Sequence, residues 1–529
     1  MVVGGNDARH PSWHLVVVKS GGNQRFIFGT NKRRLNVGAS YIVTRLPAWV
    51  EDAIKPHQKK VEVLVCVSGV AELLVEDTST AQAIIRSVTS TALRNAPGLE
   101  VWGWYEPAVP AGLSLSERLN TALRRMEQHR HLLPSPLLRN PMTPFSARCP
   151  VTGQPAEYFT PQPSFGDDEK AWLSPQARAE YDVASLGLEA IRNLLTEDTD
   201  YAVTKNLDLG VRDNGWVAVV HADGNGFGQM LANLGNVTRS NGETYADLLG
   251  AVSNALNDVA TTSLQTAVTA VLRKHDASDW LLPLIVGGDD LTAIVTGWLA
   301  RDFVTEYLRA FEAGSGALGV LRRVAREVLG SDHLTACAGI AIVKPTMPFD
   351  QAYTLAEELC ASAKTVKTLP GVQVSAFDVQ VVHEAAGRSL EEVRRARRGS
   401  PAAGDHAPHV VSQLPADDGP GPNGRKIPDD SRTYVTEHQA ELLDRAVTAL
   451  LEDDGLSRSA RHRLRTALEV PEPVSQQMRA GLLASVRLSA DAATRAFAAT
   501  LADWLQQHTG PRGLTAIDLA AVEAAEETA

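Results

Sequence analysis

The chain has only four cysteines, Cys66, Cys149, Cys337 and Cys360, and no two of them stand as a Cys-x-x-Cys pair. That argues against a disulfide scaffold and against a zinc ribbon, and a reducing, cytoplasmic setting is expected. No stretch approaches the roughly 20 apolar residues that a membrane helix needs. The opening MVVGGNDARHPSWH lacks a basic stretch followed by an apolar one, so no signal peptide is expected. Positive charge is not in excess either. The formal net charge is −11, which removes a global nucleic-acid footprint and leaves room only for a local basic groove. What is present is ordinary for a soluble protein: 44% hydrophobic and 21% charged residues over 529 positions. That length allows roughly three or four domains with sizeable cores.

Two stretches read as α/β units. In the first, residues 14–19 (HLVVVK) are a short buried strand, 61–67 and 73–75 are two more, and 81–93 form a helix that ends at Pro97-Gly98. Residues 134–163 are Pro-rich and aperiodic, as in an inserted connector. The second unit opens with the strand 216–221 (WVAVVH), a Gly-rich turn DGNGFG and a helical stretch over 244–275. Residues 281–286 and 291–295 read as a hairpin around Gly287-Gly288-Asp289-Asp290. Helix is expected over 300–329, strand over 335–343, an amphipathic helix over 349–367 and a last strand over 373–377. Residues 399–424 are rich in Pro, Gly, Ala and Asp, the composition of a flexible linker. The remainder, 435–529, has helical spacing almost throughout. The two units look like a diverged internal duplication.

Chemistry concentrates in the second unit. Asp223 follows a buried strand, and Asp289 and Asp290 stand at a hairpin tip about 65 residues later. In a sheet where that strand neighbours the hairpin, three carboxylates converge on one edge. Gly-Gly-Asp-Asp alone is equally a common turn sequence. Two flanking apolar strands, a third strand before Asp223 and the repulsion of adjacent acids without a cation favour a metal site. Two Mg²⁺ (or Mn²⁺) ions held this way clamp the attacking and leaving oxygens of a phosphoryl transfer. Gly224, Gly226 and Gly228 would let backbone approach a triphosphate, and Gly287 and Gly288 would permit the positive φ of a tight hairpin. Asn225 is a candidate for orienting ribose or triphosphate, and Ser253 for reaching a nucleobase. Two basic clusters, Arg394/Arg395/Arg397/Arg398 and Arg458/Arg461/Arg463/Arg465, are candidates for RNA phosphates or plain solvated helix faces.

The blocks WVAVVHADGNGFGQML and LIVGGDDLTAIV resemble the active palm of the large polymerase-like subunit of type III CRISPR effector complexes, a family related to the GGDEF nucleotide cyclases. CAGIAIVKPTMPFDQAYTLAEELCASAK resembles that family's strand-then-helix segment, and the resemblance implies that its lysine, Lys364, approaches the triphosphate. GGNQRFIFGTNKRRLNVGAS resembles the family's first, non-catalytic palm, with Lys19-Ser20 at the strand end and Ser68-Gly69-Val70-Ala71 at the turn. Without carboxylates that copy cannot hold Mg²⁺.

The implied fold class is α/β (α+β): two ferredoxin-like palm domains, the first degenerate, with a connector and a C-terminal helical domain. The expected bounds are 1–120 for the degenerate palm, 121–210 for a connector without an intact zinc site, 211–390 for the catalytic palm, 391–430 for a flexible linker and 431–529 for the helices. The resemblance further implies a Mg²⁺-dependent nucleotidyltransferase making cyclic oligoadenylate from ATP, with other effector subunits and guide and target RNA as partners and no membrane. A non-catalytic scaffold subunit and a stand-alone cyclic dinucleotide synthase are the alternatives. Two departures narrow this. The chain begins almost directly at the first palm, so a nuclease domain of the HD type and DNA cleavage are not expected; His275-Asp276 reads as a loop pair. Where the family often has a zinc Cys-x-x-Cys, Cys149 is followed by Thr152, so no zinc is expected.

Overall fold

A computed structural model describes residues 12–67, 69–106, 113–130, 141–160, 171–205, 215–240, 242–383, 389–396, 408–414, 427–451, 458–469, 474–487 and 511–526. The first palm runs β1 (His14–Gly21), α1 (Asn23–Phe28), α2 (Arg33–Val43), α3 (Leu46–Ile54), β2 (Val61–Val67), β3 (Val70–Val75), α4 (Thr78–Asn95) and β4 (Glu100–Glu106), followed by α5 (Leu115–Arg130). A connector contributes the ribbon β5 (Tyr158–Thr160) and β6 (Ala171–Leu173) and helix α6 (Pro175–Arg192). The second palm runs β7 (Val217–Gly224), α7 (Phe227–Asn233), α8 (Tyr245–Lys274), β8 (Leu281–Gly287), β9 (Asp290–Thr296), α9 (Ala300–Ala317), α10 (Gly319–Val324), β10 (Ala336–Val343), α11 (Phe349–Ala363), β11 (Ala376–Val381), α12 (Leu390–Ala396) and β12 (His409–Val410). Helices α13 (Asp429–Glu437), α14 (Ala440–Leu451), α15 (Arg458–Glu469), α16 (Val474–Arg487) and α17 (Pro511–Glu526) complete the described chain.

The sheet orders are β2-β3-β1-β4 and β12-β11-β10-β7-β9-β8. Taken from its first strand, each palm is a β-α-β-β-α-β unit whose first and third strands lie at the centre, the ferredoxin-like arrangement. The duplication extends to register. Lys19 pairs with Val70 as Asp223 pairs with Asp290, and Val17 pairs with Glu72 as His221 pairs with Thr292. Both hairpins carry a β-bulge at the same level, between Val63 and Val65 and between Pro283 and Ile285. This register corrects one expectation: the counterpart of Gly287–Asp290 is 67–70, one residue earlier than the sequence suggested. Ser68 itself lies outside the described residues.

The central strands explain themselves. β10 (ACAGIAIV) is buried along its whole length, as a strand covered on both faces must be. Gly339 is required there, because a Cβ would lie 2.0 Å from the Ala356 carbonyl oxygen, so α11 rests directly on the strand. Helix α8 starts at a capping box in which Thr244 and Asp247 bond each other's backbone N–H groups, worth about 1 kcal/mol.

The two palms pack through matching elements. Ser40 of α2 donates to the carbonyl of the bulged Leu284 in β8. Conversely, α8 lies on β2, where Gly250 has its Cβ position 3.4 Å from the carbonyl oxygen of the bulged Leu64. This is a self-complementary seam of the kind a two-fold dimer forms, here within one chain. Phe28 packs tilted on Tyr353 at 4.1 Å and edge-on to Phe349 at 5.4 Å across the seam, and Asn31 accepts the Phe349 N–H at 2.8 Å.

Two expectations change. The helix read over 300–329 is broken into α9, α10 and a π-helical turn at Ala325–Leu329. Residues 409–410, inside the stretch read as linker, are instead a buried edge strand on β11; the rest of that stretch, apart from 408–414, lies outside the described residues. The C-terminal helices form a core through Leu443, Val447, Leu464, Leu468 and Ile517. They are tied to the second palm by Arg301, which reaches Asp444 at 2.6 Å and Glu523 at 3.1 Å. Among the described residues, no helix is long and apolar enough to cross a membrane.

Candidate active site

Asp223 is the penultimate residue of β7 and lies directly opposite Asp290, the first residue of β9. Asp289 occupies the two-residue turn between β8 and β9, and its carbonyl accepts the Gly224 N–H at 3.1 Å. The register therefore delivers all three side chains to one sheet edge, with carboxylate oxygens within 4.8 Å of one another. Among the described residues no other group of acids, histidines or cysteines is so arranged.

The turn needs glycine at two points. Gly288 has φ +63°, as the first central residue of a type II′ hairpin turn. At Gly224 a Cβ would stand 2.4 Å from the Phe227 ring and 2.8 Å from the Asp289 Cβ. Gly287, expected to share the positive φ, does not; it lies beside Asn257 of α8. Gly226 caps α7 in the left-handed conformation, and Gly228 lies within that helix with open space around it.

The electrostatics are those of a site short of positive charge. Burial, then the Asp223 charge, pushes Asp289 up to about 6. Burial, then the Asp289 and Asp223 charges, pushes Asp290 up to about 7. A cation is bonded there: Lys364, just past the end of α11, bonds to Asp223. Burial is the largest influence and works to lower its pKa, but the bond to Asp223 and the Asp223 charge together outweigh it and the ammonium is held charged. A set of hard carboxylate oxygens with repulsion left over fits Mg²⁺ or Mn²⁺, which favour oxygen ligands, and it leaves open positions for phosphate.

Not every candidate lies at this site. Asn225 points inward. Its Nδ2 donates to Thr335 Oγ1 at 3.0 Å, to the Val374 carbonyl at 3.2 Å and to Cys337 Sγ at 3.4 Å. It fastens the turn after β7 to β10 and is buried, so its side chain is not presented to a nucleotide. Ser253 lies on α8 one turn from Gly250 at the seam and one turn from Asn257 at the Gly287 turn, and is half-buried. Of the basic clusters, Arg394 is bound to Asp378 at 2.5 Å and to Ser362 at 2.9 Å, Arg465 to Asp518 at 2.7 Å and Arg461 to the Leu450 carbonyl. Arg463 is exposed; Arg397 and Arg398 lie outside the described residues. His275, read from the sequence as a loop pair with Asp276, instead accompanies Lys274 on Asp302.

In the connector, Cys149 is buried and Thr152, at the Cys-x-x-Cys partner position, bonds Ser174 at 2.9 Å. Burial raises the Cys149 pKa, but hydrogen bonds from Thr152, Ser174 and Val151 outweigh that and lower it.

The sequence reading missed Glu357. It projects from α11 two turns before Lys364, accepts the Tyr353 hydroxyl at 3.0 Å, and its charge adds to the repulsion on Asp290. The helical spacing 353, 357, 360, 364 was the available signal.

The first palm carries the opposite charge at the same place. Lys19 stands where the second palm has Asp223 and is exposed, with Trp102 as its register partner on β4. Arg130, the last residue of α5, lies over the Trp102 ring at 4.8 Å.

Residues 216–368 match the family model described as Cas10/Cmr2, second palm domain. No curated protein matches the sequence. Among solved structures, the apo Csm1–Csm4 cassette is similar with a TM-score of 0.50 at 13% identity, covering 98% of this chain and 71% of that one. A Csm1–Csm4 cassette in complex with AMPPNP gives 0.48 at 13% identity, with 98% and 70% covered. Csm1 of T. onnurineus gives 0.46 at 15% identity, with 97% and 70% covered. The first of these shares the fold of this chain.

Proposed function

We propose that this chain, whose residues 216–368 match the Cas10/Cmr2 second palm domain, is a nucleotidyltransferase that builds cyclic oligoadenylate from ATP in type III CRISPR antiviral defence. The observation that carries this reading is the convergence of Asp223, Asp289 and Asp290 at one sheet edge of the second palm, beside a seam formed with the first palm, which has no such acids.

Two Mg²⁺ or Mn²⁺ ions would be held by Asp223, Asp289 and Asp290; when bound, they supply charge stabilisation to the attacking and leaving oxygens of phosphoryl transfer. Lys364 is placed to exchange its bond to Asp223 for a phosphate oxygen of the donor nucleotide. Gly288 has open space around it, so the triphosphate can lie against backbone there. The first palm holds the acceptor: Lys19 offers a cation to a triphosphate where the second palm offers carboxylates to a metal, with Arg130, paired with Glu127 and Glu100, over the neighbouring Trp102. The acceptor 3′-hydroxyl attacks the donor α-phosphate and pyrophosphate leaves. Positioning and electrostatics supply the rate. The cassette that shares the fold pairs Csm1 with Csm4. A companion subunit, guide and target RNA, and a cytoplasmic setting are proposed for this chain too.

The test is to incubate the purified chain with ATP or GTP and Mg²⁺, with and without guide and target RNA, and identify products by mass spectrometry. A cyclic oligoadenylate that vanishes in Asp289→Ala/Asp290→Ala is expected. Product surviving that double change would refute the mechanism, and product formed without RNA would favour a stand-alone cyclase.

A further inference from the structure

The three acids hold and polarise the donor, but nothing described so far aligns the acceptor's hydroxyl. Glu357 is the group left over. It sits outside the cluster of three, since it is not among the carboxylates within 4.8 Å of one another, and its charge is felt at Asp290. It stands two helical turns before Lys364, which bonds Asp223, and its partner Tyr353 packs on His221, two residues before Asp223 on β7, so it flanks the site. It does so at the seam. Tyr353, whose hydroxyl bonds Glu357 at 3.0 Å, has its ring against Phe28 of the first palm at 4.1 Å and edge-on to His221 at 5.6 Å. Tyr353 is thereby wedged between the two palms and holds the Glu357 carboxylate in place.

Glu357 has no ion pair among the described residues, and the tyrosine hydroxyl occupies one of its two oxygens. The second oxygen is free to accept a hydrogen bond from a neutral donor arriving along the seam.

We infer that Glu357 is the acceptor-side carboxylate of the reaction proposed above: it accepts the hydrogen bond of the attacking 3′-hydroxyl and so aims that oxygen at the donor's α-phosphorus. This rests on the nucleotidyltransferase reading. In the step, the new bond joins the 3′-oxygen to the α-phosphorus. The bridging bond to the β-phosphate breaks and its electron pair leaves with pyrophosphate. The hydroxyl proton passes through Glu357 to water. Tyr353 acts through Glu357 and is a positioning residue.

The experiment separates donor from acceptor. A 3′-deoxynucleoside triphosphate serves as donor, since it cannot attack, and a ribonucleotide with a free 3′-hydroxyl is the varied acceptor. Single transfers are followed by pyrophosphate release in the full chain with its RNA and partner subunits. Glu357→Gln is expected to lower kcat/KM for the acceptor about 10- to 100-fold, with the donor KM and the Mg²⁺ midpoint within about twofold of wild type. Tyr353→Phe keeps the carboxylate and is expected to cost less than about tenfold.

A Glu357→Gln variant with wild-type acceptor kinetics overturns the inference while leaving the nucleotidyltransferase reading intact. So does a shift of the Mg²⁺ midpoint that accounts for the whole loss, because Glu357 would then be serving the ions. Equal losses in Tyr353→Phe and Glu357→Gln would reduce the pair to a strut for α11. A wild-type chain that makes no transfer at all, with metal, RNA and partners present, refutes the underlying reading and the inference with it.

Discussion

Replacing Asp290 with asparagine should make the metal-free protein more stable at pH 8, although it removes a residue of the candidate active site. Asp290 is pushed from its ordinary 3.8 to about 7 by burial and by Asp289 and Asp223. A carboxyl whose folded pKa is raised binds its proton more tightly in the folded state. Its contribution therefore declines as the pH rises from about 4 to about 7, and the penalty is complete above that. A shift of about three units sets a ceiling of about 4 kcal/mol. The repulsion is shared with two other acids and Lys364 offsets part of it, so about 1–2 kcal/mol is expected from Asp290 alone. For a domain of this size that corresponds to a Tm increase of about 2–8 °C in EDTA at pH 8. At pH 4 the asparagine and the protonated aspartic acid should differ little. Mg²⁺ reverses the ranking: at one hundred times its Kd it stabilises the wild type by about 2.7 kcal/mol, and it should do far less for the variant. Scanning calorimetry of both proteins at pH 4.5, 6 and 8, with EDTA and with Mg²⁺, measures every term. An asparagine variant that is less stable at pH 8 in EDTA, or that gains as much from Mg²⁺ as the wild type, would refute the reasoning.

Lys364→Met removes the cation bonded to Asp223, and nucleoside triphosphate affinity should fall about tenfold in a fluorescent-nucleotide titration, in line with one charge-assisted hydrogen bond; unchanged affinity would remove the lysine from the phosphate site. Asn225→Leu should cost about 2–4 kcal/mol in urea unfolding through its three lost bonds while leaving the nucleotide KM of the folded fraction unchanged; a raised KM with normal stability would return Asn225 to the nucleotide. Gly339→Ala should cost about 2–4 kcal/mol, because the new Cβ forces α11 away from β10. The same change should impair catalysis, since α11 carries both Glu357 and Lys364, and activity at wild-type level would show that the helix need not sit so close.

The candidate site was legible because its parts are local. Asp223 ends an apolar run, and Asp289-Asp290 sit between two such runs, so strand order alone brings them together. What sequence could not supply was tertiary. Asn225 looks like the residues around it in DGNGFG, but the chain turns so that its side chain enters the interior beside Cys337. Arg394 reads as part of a basic run, yet Asp378 on β11 claims it. His409–Val410 has too little apolar sequence to announce a strand and becomes one because the edge of β11 is available. Glu357 was hidden in a helix whose amphipathic pattern says only which face is buried. Its relation to Asp290 and to the first palm exists only after both palms are folded. The one-residue shift in the first palm's turn has the same origin, since pairing with β1, and not the turn's composition, fixes the register.

The seam in which Ser40 meets Leu284 and α8 meets β2 also governs how this protein behaves on dilution. Two separate palms would associate with an affinity of their own, and their combined activity would fall as the square of concentration below it. Here the chain itself keeps the partners at an effective concentration that no cellular change in abundance can alter. Specific activity should therefore stay constant down to the lowest protein levels at which product is detectable. Any control of output must act on something other than the meeting of the two palms.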